Sequence, residues 1–243
     1  MTTLQVLTCH RMCAGVNIER VTTSAKSRRY HHGDLRNALV TAAAELAETG
    51  GPEAVTVRAA ARRVGVTATA AYRHFTNHEE LLDAAQEQAQ RSLFAAMGEV
   101  LAELAPDADA VARLTAIGNG YITFAQREPG LFRTAFCNHE PNPTGPGEWN
   151  APAFELLSVI LDELVEIGFT DPAHRRDAEY ATWATVHGMA SLIVDRVISY
   201  LGPAERAAAI ARTLDMVRYG LATGPNAARL LATAAPTATT RNG

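Results

Sequence analysis

The sequence predicts an all-α protein: an N-terminal three-helix domain of the helix-turn-helix kind, followed by a larger helical bundle. Three observations carry that reading. Apolar residues recur at helical spacing along most of the chain, with no alternating strand pattern of useful length. Gly and Pro punctuate the pattern at Gly50-Gly51-Pro52, Gly65, Pro106, Pro129, Gly168 and Gly202-Pro203. Positive charge is gathered in one short stretch near the N-terminus.

Residues 1–25 show no period and read as a flexible arm, and Val21 offers an alternative translation start. From Asp34, a reasonable N-cap, Leu35, Leu39, Ala42, Ala43 and Leu46 form the stripe of an amphipathic helix that Gly50-Gly51-Pro52 stops. A second helix begins at Thr56 and breaks at Gly65. A third runs from Thr67 through Tyr72 to about Phe75. Further helices are expected at about 79–104, 109–127, 130–136, 153–167, 173–200 and 203–222, with a Pro/Gly/Asn-rich loop over 137–152. The domains expected are therefore a 26–78 helix-turn-helix unit with its core at 56–75, a 79–223 bundle, and a disordered tail at 224–243.

Composition excludes several classes. With 243 residues, 47% hydrophobic and 20% charged, the chain is neither collagen-like, nor a disordered tail, nor a disulfide miniprotein. The longest uncharged apolar stretch, Tyr180 to Val194, is 15 residues, short of the roughly 18 to 20 that a membrane span needs. There is no signal-peptide pattern. Three cysteines, Cys9, Cys13 and Cys137, imply no disulfide framework. A cytoplasmic protein with no membrane partner is the expectation. Net charge is −4, yet residues 26–78 hold eight Lys/Arg against four Asp/Glu, while residues 79–243 hold twelve Arg against twenty-one acids. A basic head on an acidic body points to an anionic partner for the head.

The residues from Thr56 to Phe75 supply groups that suit DNA. A short second helix after a Gly turn can enter a major groove about 12 Å wide while the first lies across the backbone. Thr56 at a helix start offers a hydroxyl beside free N–H groups, a phosphate site. Tyr72 and His74 can donate to phosphate oxygens. Arg58 and Arg73 reach a base edge or the backbone. Thr67, Ala68, Thr69 and Ala70 form a small face that allows close approach and contact with thymine methyls. Arg28 and Arg29 can reach a neighbouring phosphate or the minor groove.

Residues 34–82 resemble the N-terminal domain of the TetR family of transcriptional regulators. The resemblance lies in Val55-Thr56-Val57-Arg58-Ala59-Ala60-Ala61, Gly65-Val66 and Ala70-Ala71-Tyr72-Arg73-His74-Phe75, then Glu79-Glu80-Leu81-Leu82, with the lead-in Tyr30-His31-His32-Gly33-Asp34-Leu35-Arg36. It implies that Thr56, Arg58, Tyr72 and His74 contact double-stranded DNA. The family often has Lys where this chain has His78; a His there grips phosphate fully only when protonated, so affinity is expected to fall as pH rises past about 6.5. Trp183-Ala184-Thr185-Val186-His187-Gly188 resembles the Trp-x-x-x-His-Gly signature of one subgroup of the family's C-terminal domains. The resemblance implies a homodimer paired through the last two long helices, a near-palindromic operator, and regulation, most often repression, relieved by a small-molecule effector. The apolar stripes Ala190, Ile193, Val194, Val197, Leu201 and Ile210, Leu214, Val217, Leu221 are the expected pairing faces.

The pocket is less legible. Phe94, Met97, Tyr121, Phe124, Phe132, Trp183 and His187 are the candidate ligand-binding residues. Trp183 and His187, four apart, read either as a pocket wall or as a core Trp with a hydrogen-bonded His beside a close-packing Gly188. Ordinary core is the simpler reading for most of these side chains, and Tyr121 is the best single candidate because a buried hydroxyl needs a partner. Neither His31-His32-Asp34 nor Cys137-Asn138-His139-Glu140 has metal-ligand spacing, so neither metal nor cofactor is expected. No nucleophile elbow, phosphate loop, HExxH or CxxC is present, which argues against an enzyme. Two alternatives stay open: a helical ligand-binding protein without DNA function, and a DNA-binding protein without an effector.

Overall fold

The computed structural model describes residues 32–137 and 151–233. Arg28, Arg29, the 1–25 arm and most of the 137–152 loop lie outside the described residues. Among the described residues every regular element is helical.

Three helices build the head. Helix α1 (His32–Gly50) starts two residues before the Asp34 expected to cap it, so Asp34 sits inside its first turn. Its stripe Leu39, Ala42, Ala43 and Ala47 is buried. Helix α2 (Val57–Val64) begins where the Thr56 hydroxyl accepts the Ala59 N–H at 3.1 Å. It ends at Gly65, whose φ of 80° is a left-handed conformation that Gly adopts without strain. Helix α3 (Ala68–Tyr72) is capped in the same way by Thr67. It stops at Tyr72 rather than Phe75, because the chain turns there and buries Phe75 completely. Arg36 of α1 lies over the Phe75 ring, 4.8 Å from its centre.

Helix α4 (His78–Ala102) follows an Asn77 cap. Its stripe Leu81, Leu82, Ala85, Ala89, Leu93 and Met97 is buried against α1, α5 and α6. The boundary expected after residue 78 thus falls at the first residue of a helix shared by head and bundle. From His32 onward the described residues form one compact unit.

Helix α5 (Ala110–Arg127) is the centre of the bundle and packs on α4, α7, α8 and α9. Two glycines permit this: a Cβ on Gly118 would stand 2.6 Å from Leu214, and one on Gly120 would stand 2.8 Å from Val100. Helix α6 (Pro129–Ala135) is short, and α7 (Ala151–Glu166) returns across the bundle. The long helix expected over 173–200 is instead α8 (Ala178–Val194). A 3-10 turn at Pro172–His174, capped by Asp171, precedes it. Arg196 ends it in a left-handed conformation, φ 60°, with Val197 N–H bonded back to the Leu192 carbonyl. No Gly announced that stop. Helix α9 (Pro203–Leu221) follows.

Residues 227–233, expected within a disordered tail, form helix α10 (Ala227–Thr233). Their approach is tied down: Gly224 and Asn226 N–H groups bond to the Phe169 and Gly168 carbonyls, and the Asn226 amide donates to the Ile167 carbonyl, each at 2.8 Å. Leu230 is buried.

Five of the nine residues expected on the pairing faces turn inward. Ala190, Val194, Leu214, Val217 and Leu221 are buried within the protomer itself. Val197 alone of that set is strongly exposed. The outer faces of α8 and α9 and the turn between them carry a second apolar set: Leu192, Val197, Tyr200, Met216 and Tyr219.

Candidate functional site

The head presents its polar groups outward. Thr56, Arg58, Thr67, Thr69, Tyr72, Arg73 and His78 are exposed, and Ala68, Ala70 and His74 are half-buried. Because the Thr56 oxygen accepts the Ala59 N–H, its own O–H proton is directed elsewhere and is available to a phosphate at the α2 N-terminus. Arg58 and Arg62 lie one turn apart on α2 and make no ion pair among the described residues, whereas Arg63 is held by Glu45. Arg62 was absent from the sequence candidates. Its signal was the i, i+4 spacing from Arg58. His78 opens α4 beside the Asn77 cap, where Glu80 accepts the Thr76 N–H and hydroxyl at 2.8 and 3.0 Å. Those two bonds hold the Glu80 carboxyl below the usual carboxylate range.

A partly open apolar cavity of about 40 Å³ lies between α4, α5, α7, α8 and α9. Of the seven candidate pocket residues, Met97, Tyr121 and Trp183 line it. Phe124 and Phe132 are buried elsewhere in the core, and Phe94 is on the surface at 39% exposure. His187 does not line the cavity. Its Nδ1 instead meets the Tyr121 hydroxyl at 2.7 Å, which is the partner that buried phenol required. Burial pushes the Tyr121 pKa far up and the His187 pKa down, so the pair is neutral at pH 7. Phe132 stacks on His187 at 5.3 Å, and Phe136 meets it edge-on at 4.7 Å. The hydrogen-bonded core His of the sequence analysis is present, but its close-packing glycine is not: nothing lies within 4 Å of a Cβ on Gly188. Leu114, Thr115, Thr182 and Leu214 line the cavity and were missed. Leu214 had been assigned to the subunit interface.

Helix α6 joins the two regions. At its start, Gly130 lies so close to the end of α1 that a Cβ would stand 2.0 Å from the Ala47 carbonyl oxygen. At its end, Gln86 and Gln90 of α4 donate to the Ala135 carbonyl, and Gln86 also to that of Cys137. Between them Phe132 and the following Phe136 reach the Tyr121–His187 pair.

Comparison with known proteins decides the family. The model of the bacterial regulatory proteins of the tetR family matches residues 39–85, and that of the tetracyclin repressor-like C-terminal domain matches residues 114–217. The chain belongs to the TetR family. The family is one of DNA-binding transcriptional regulators, not of enzymes. A structure of a protein of unknown function from Rhodococcus sp. RHA1 is similar over 81% of this chain and all of that one, with a TM-score of 0.65 and 27% identity. A TetR transcriptional regulator from Streptomyces coelicolor shares the fold over 77% of this chain and 97% of its own, with a TM-score of 0.57 and 22% identity. The nucleoid occlusion factor SlmA of Marinomonas sp. is 29% identical over 100 residues, 41% of this chain and 49% of that protein. The chain thus spans about half the length of the curated relatives it matches. In this TetR protein, no helix among the described residues is long and apolar enough to cross a membrane. No described group of three His, Cys, Asp or Glu side chains converges as a metal would require.

Proposed function

We propose that two copies of this TetR protein bind a near-palindromic DNA site in the cytoplasm and repress transcription until a small molecule enters the bundle. The observation that carries the reading is the outward set on α2 and α3: Thr56 and Tyr72 hydroxyls, Arg58 and Arg73, which make no ion pair among the described residues, and the small Thr67–Ala70 face. Thr56, Tyr72, His74 and His78 hold phosphates, and Arg58 and the 67–73 face read bases. Arg28 and Arg29 precede α1 and serve an adjacent phosphate or the minor groove.

The dimer forms through the outer faces of α8 and α9. Leu192 on α8, Met216 and Tyr219 on α9, and Val197 and Tyr200 in the turn between them are exposed apolar groups. Exposed Ala204, Ala208 and Ala211 on α9, and the open space around Gly188, suit close helix approach. A C2 pair places two α3 helices on one DNA face at one or more helical turns. A ligand that widens the cavity displaces α5 from α8 and α9, and α6 passes that displacement to α1. The equilibrium moves only by the ligand's differential affinity for the two head spacings.

A second reading, DNA binding without an effector, draws on the small cavity and on curated relatives named nucleoid occlusion factors. Fluorescence anisotropy on DNA upstream of the protein's own gene, against scrambled DNA and over a salt series, tests the main reading. Specific binding at two protomers per site, weakening steeply with salt, is expected. Leu192→Glu with Met216→Glu is expected to give monomers by sedimentation and to lose that binding. Sequence-blind binding by a monomer contradicts the proposal.

A further inference from the structure

We propose that the bundle cavity takes a small, neutral, largely hydrocarbon molecule carrying one hydroxyl or carbonyl group, and that Thr182 reads that group. The inference rests on the ligand-responsive reading above and names the chemistry of its ligand.

The walls are the first observation. Among the described residues, no Asp, Glu, Lys, Arg or His lines the cavity. An ion placed there would lose its hydration without gaining a counter-charge, a large penalty. Hydrocarbon loses nothing comparable, and Met97, Leu157 and Val217 surround it with apolar contact.

Thr182 is the second. It lines the cavity, is only 6% exposed, and has no hydrogen-bond partner among the described residues. Threonines inside helices commonly bond to the carbonyl four residues back, and here Thr115, Thr134, Thr185 and Thr213 all do so at 2.8–3.0 Å. Thr182 does not. Of the other polar groups at the cavity, the Tyr121 hydroxyl is committed to His187 and the Thr115 proton to Val111, while the Trp183 indole N–H, which can donate but not accept, makes no hydrogen bond among the described residues. Thr182 therefore keeps both a proton to donate and lone pairs to accept. The Thr182 hydroxyl has no partner among the described residues, and a ligand hydroxyl or carbonyl in the cavity would supply one.

Size bounds the ligand. About 40 Å³ is well below the roughly 150 Å³ of an apolar cavity that admits benzene. A one-ring molecule enters by moving the walls, and Met97, with three rotatable bonds, is the wall most able to move.

Benzyl alcohol, toluene, benzoate and benzylammonium share one ring and differ in the head group. Each is titrated into the full chain and into its Thr182→Val and Thr182→Ser variants, with binding read by calorimetry and by thermal shift. Benzyl alcohol is expected to bind the wild type at least tenfold more tightly than either ion. Thr182→Val is expected to weaken benzyl alcohol by about two- to tenfold, the worth of one hydrogen bond. It leaves toluene within twofold, and Thr182→Ser restores benzyl alcohol. Toluene binding in all three proteins shows that each variant is folded. If benzyl alcohol ignores Thr182→Val while toluene binds, the pocket stands and the role of Thr182 is overturned. If either ion matches benzyl alcohol, the neutral class is overturned. If no probe binds at millimolar concentration, the ligand-responsive reading falls, and this inference with it.

Discussion

In α2 and α3 the hydroxyls of Thr56 and Thr67 sit at helix starts and the guanidiniums of Arg58 and Arg73 point into water. Between α5 and α8 the polar groups turn inward, where Tyr121 and His187 satisfy one another inside a shell of Phe132, Phe136 and Trp183. In the head, Arg58 and Arg73 are exposed and make no ion pair among the described residues, whereas in the bundle the Tyr121 hydroxyl and His187 are paired within the chain. A recognition surface and a packed interior are thus built from similar residue types, and what separates them is where the donors point.

The sharpest way to break the comparison is at the helix that joins the regions. Gly130→Ala drives a methyl into the α1 carbonyls, and is expected to cost about 3 kcal/mol, the upper range for overpacking, by urea unfolding. DNA affinity is expected to fall with it, since α1 supports α2 and α3. Stability within 0.5 kcal/mol of wild type, roughly the limit for a benign surface change, would show that α6 does not bear on α1.

Tyr121→Phe tests the inward half. It leaves the His187 Nδ1 without its partner, so a loss of about 1–2 kcal/mol is expected, with DNA specificity unchanged. Glu80→Ala tests the outward half at the head's edge. Removing the acceptor of two Thr76 donors is expected to cost about 1 kcal/mol. Because the Glu80 carboxyl is held low, its contribution is present above the ordinary carboxylate range and is lost as pH falls through the lowered value, which the wild-type minus Glu80→Ala difference in Tm should trace.

The smallest effect is a pH slope from His187. Burial lowers its pKa below that of the unfolded chain. The unfolded state therefore takes up a proton near pH 6.5 while the folded state does not. Stability is full above about pH 6.5 and declines as pH falls toward the folded value, by under about 1 kcal/mol over the first pH unit. His187→Gln should remove that part of the slope, and an unchanged slope would mean that His187 titrates freely.

The head was legible because its signals are local. A Thr cap, a Gly in the left-handed region and a Pro or Gly stop act over one helical turn, so Thr56, Gly65 and Thr67 placed both ends of α2 and the start of α3 within a residue, while the end of α3 fell three residues short. The bundle depended on long-range choices. Both faces of α8 and α9 are apolar, and periodicity alone could not say that Leu214 faces Gly118 of α5 while Met216 faces water. Arg196 doing the work of a C-terminal glycine hid the end of α8, and backbone bonds from Gly224 and Asn226 to the 168–169 turn precede helix α10 within a segment that composition suggested was loose. Thr182 was passed over because a threonine in an apolar helix usually bonds to its own backbone, and only the structure shows that this one does not.

The most direct test of the outward-facing head is the ratio of affinities for specific and scrambled DNA in Arg58→Ala, measured by anisotropy at fixed salt. If Arg58 reads a base edge, the ratio falls by about 5- to 100-fold, equivalent to roughly 1–3 kcal/mol, while binding to scrambled DNA changes far less. A ratio equal to wild type would contradict the assignment of base reading to this face.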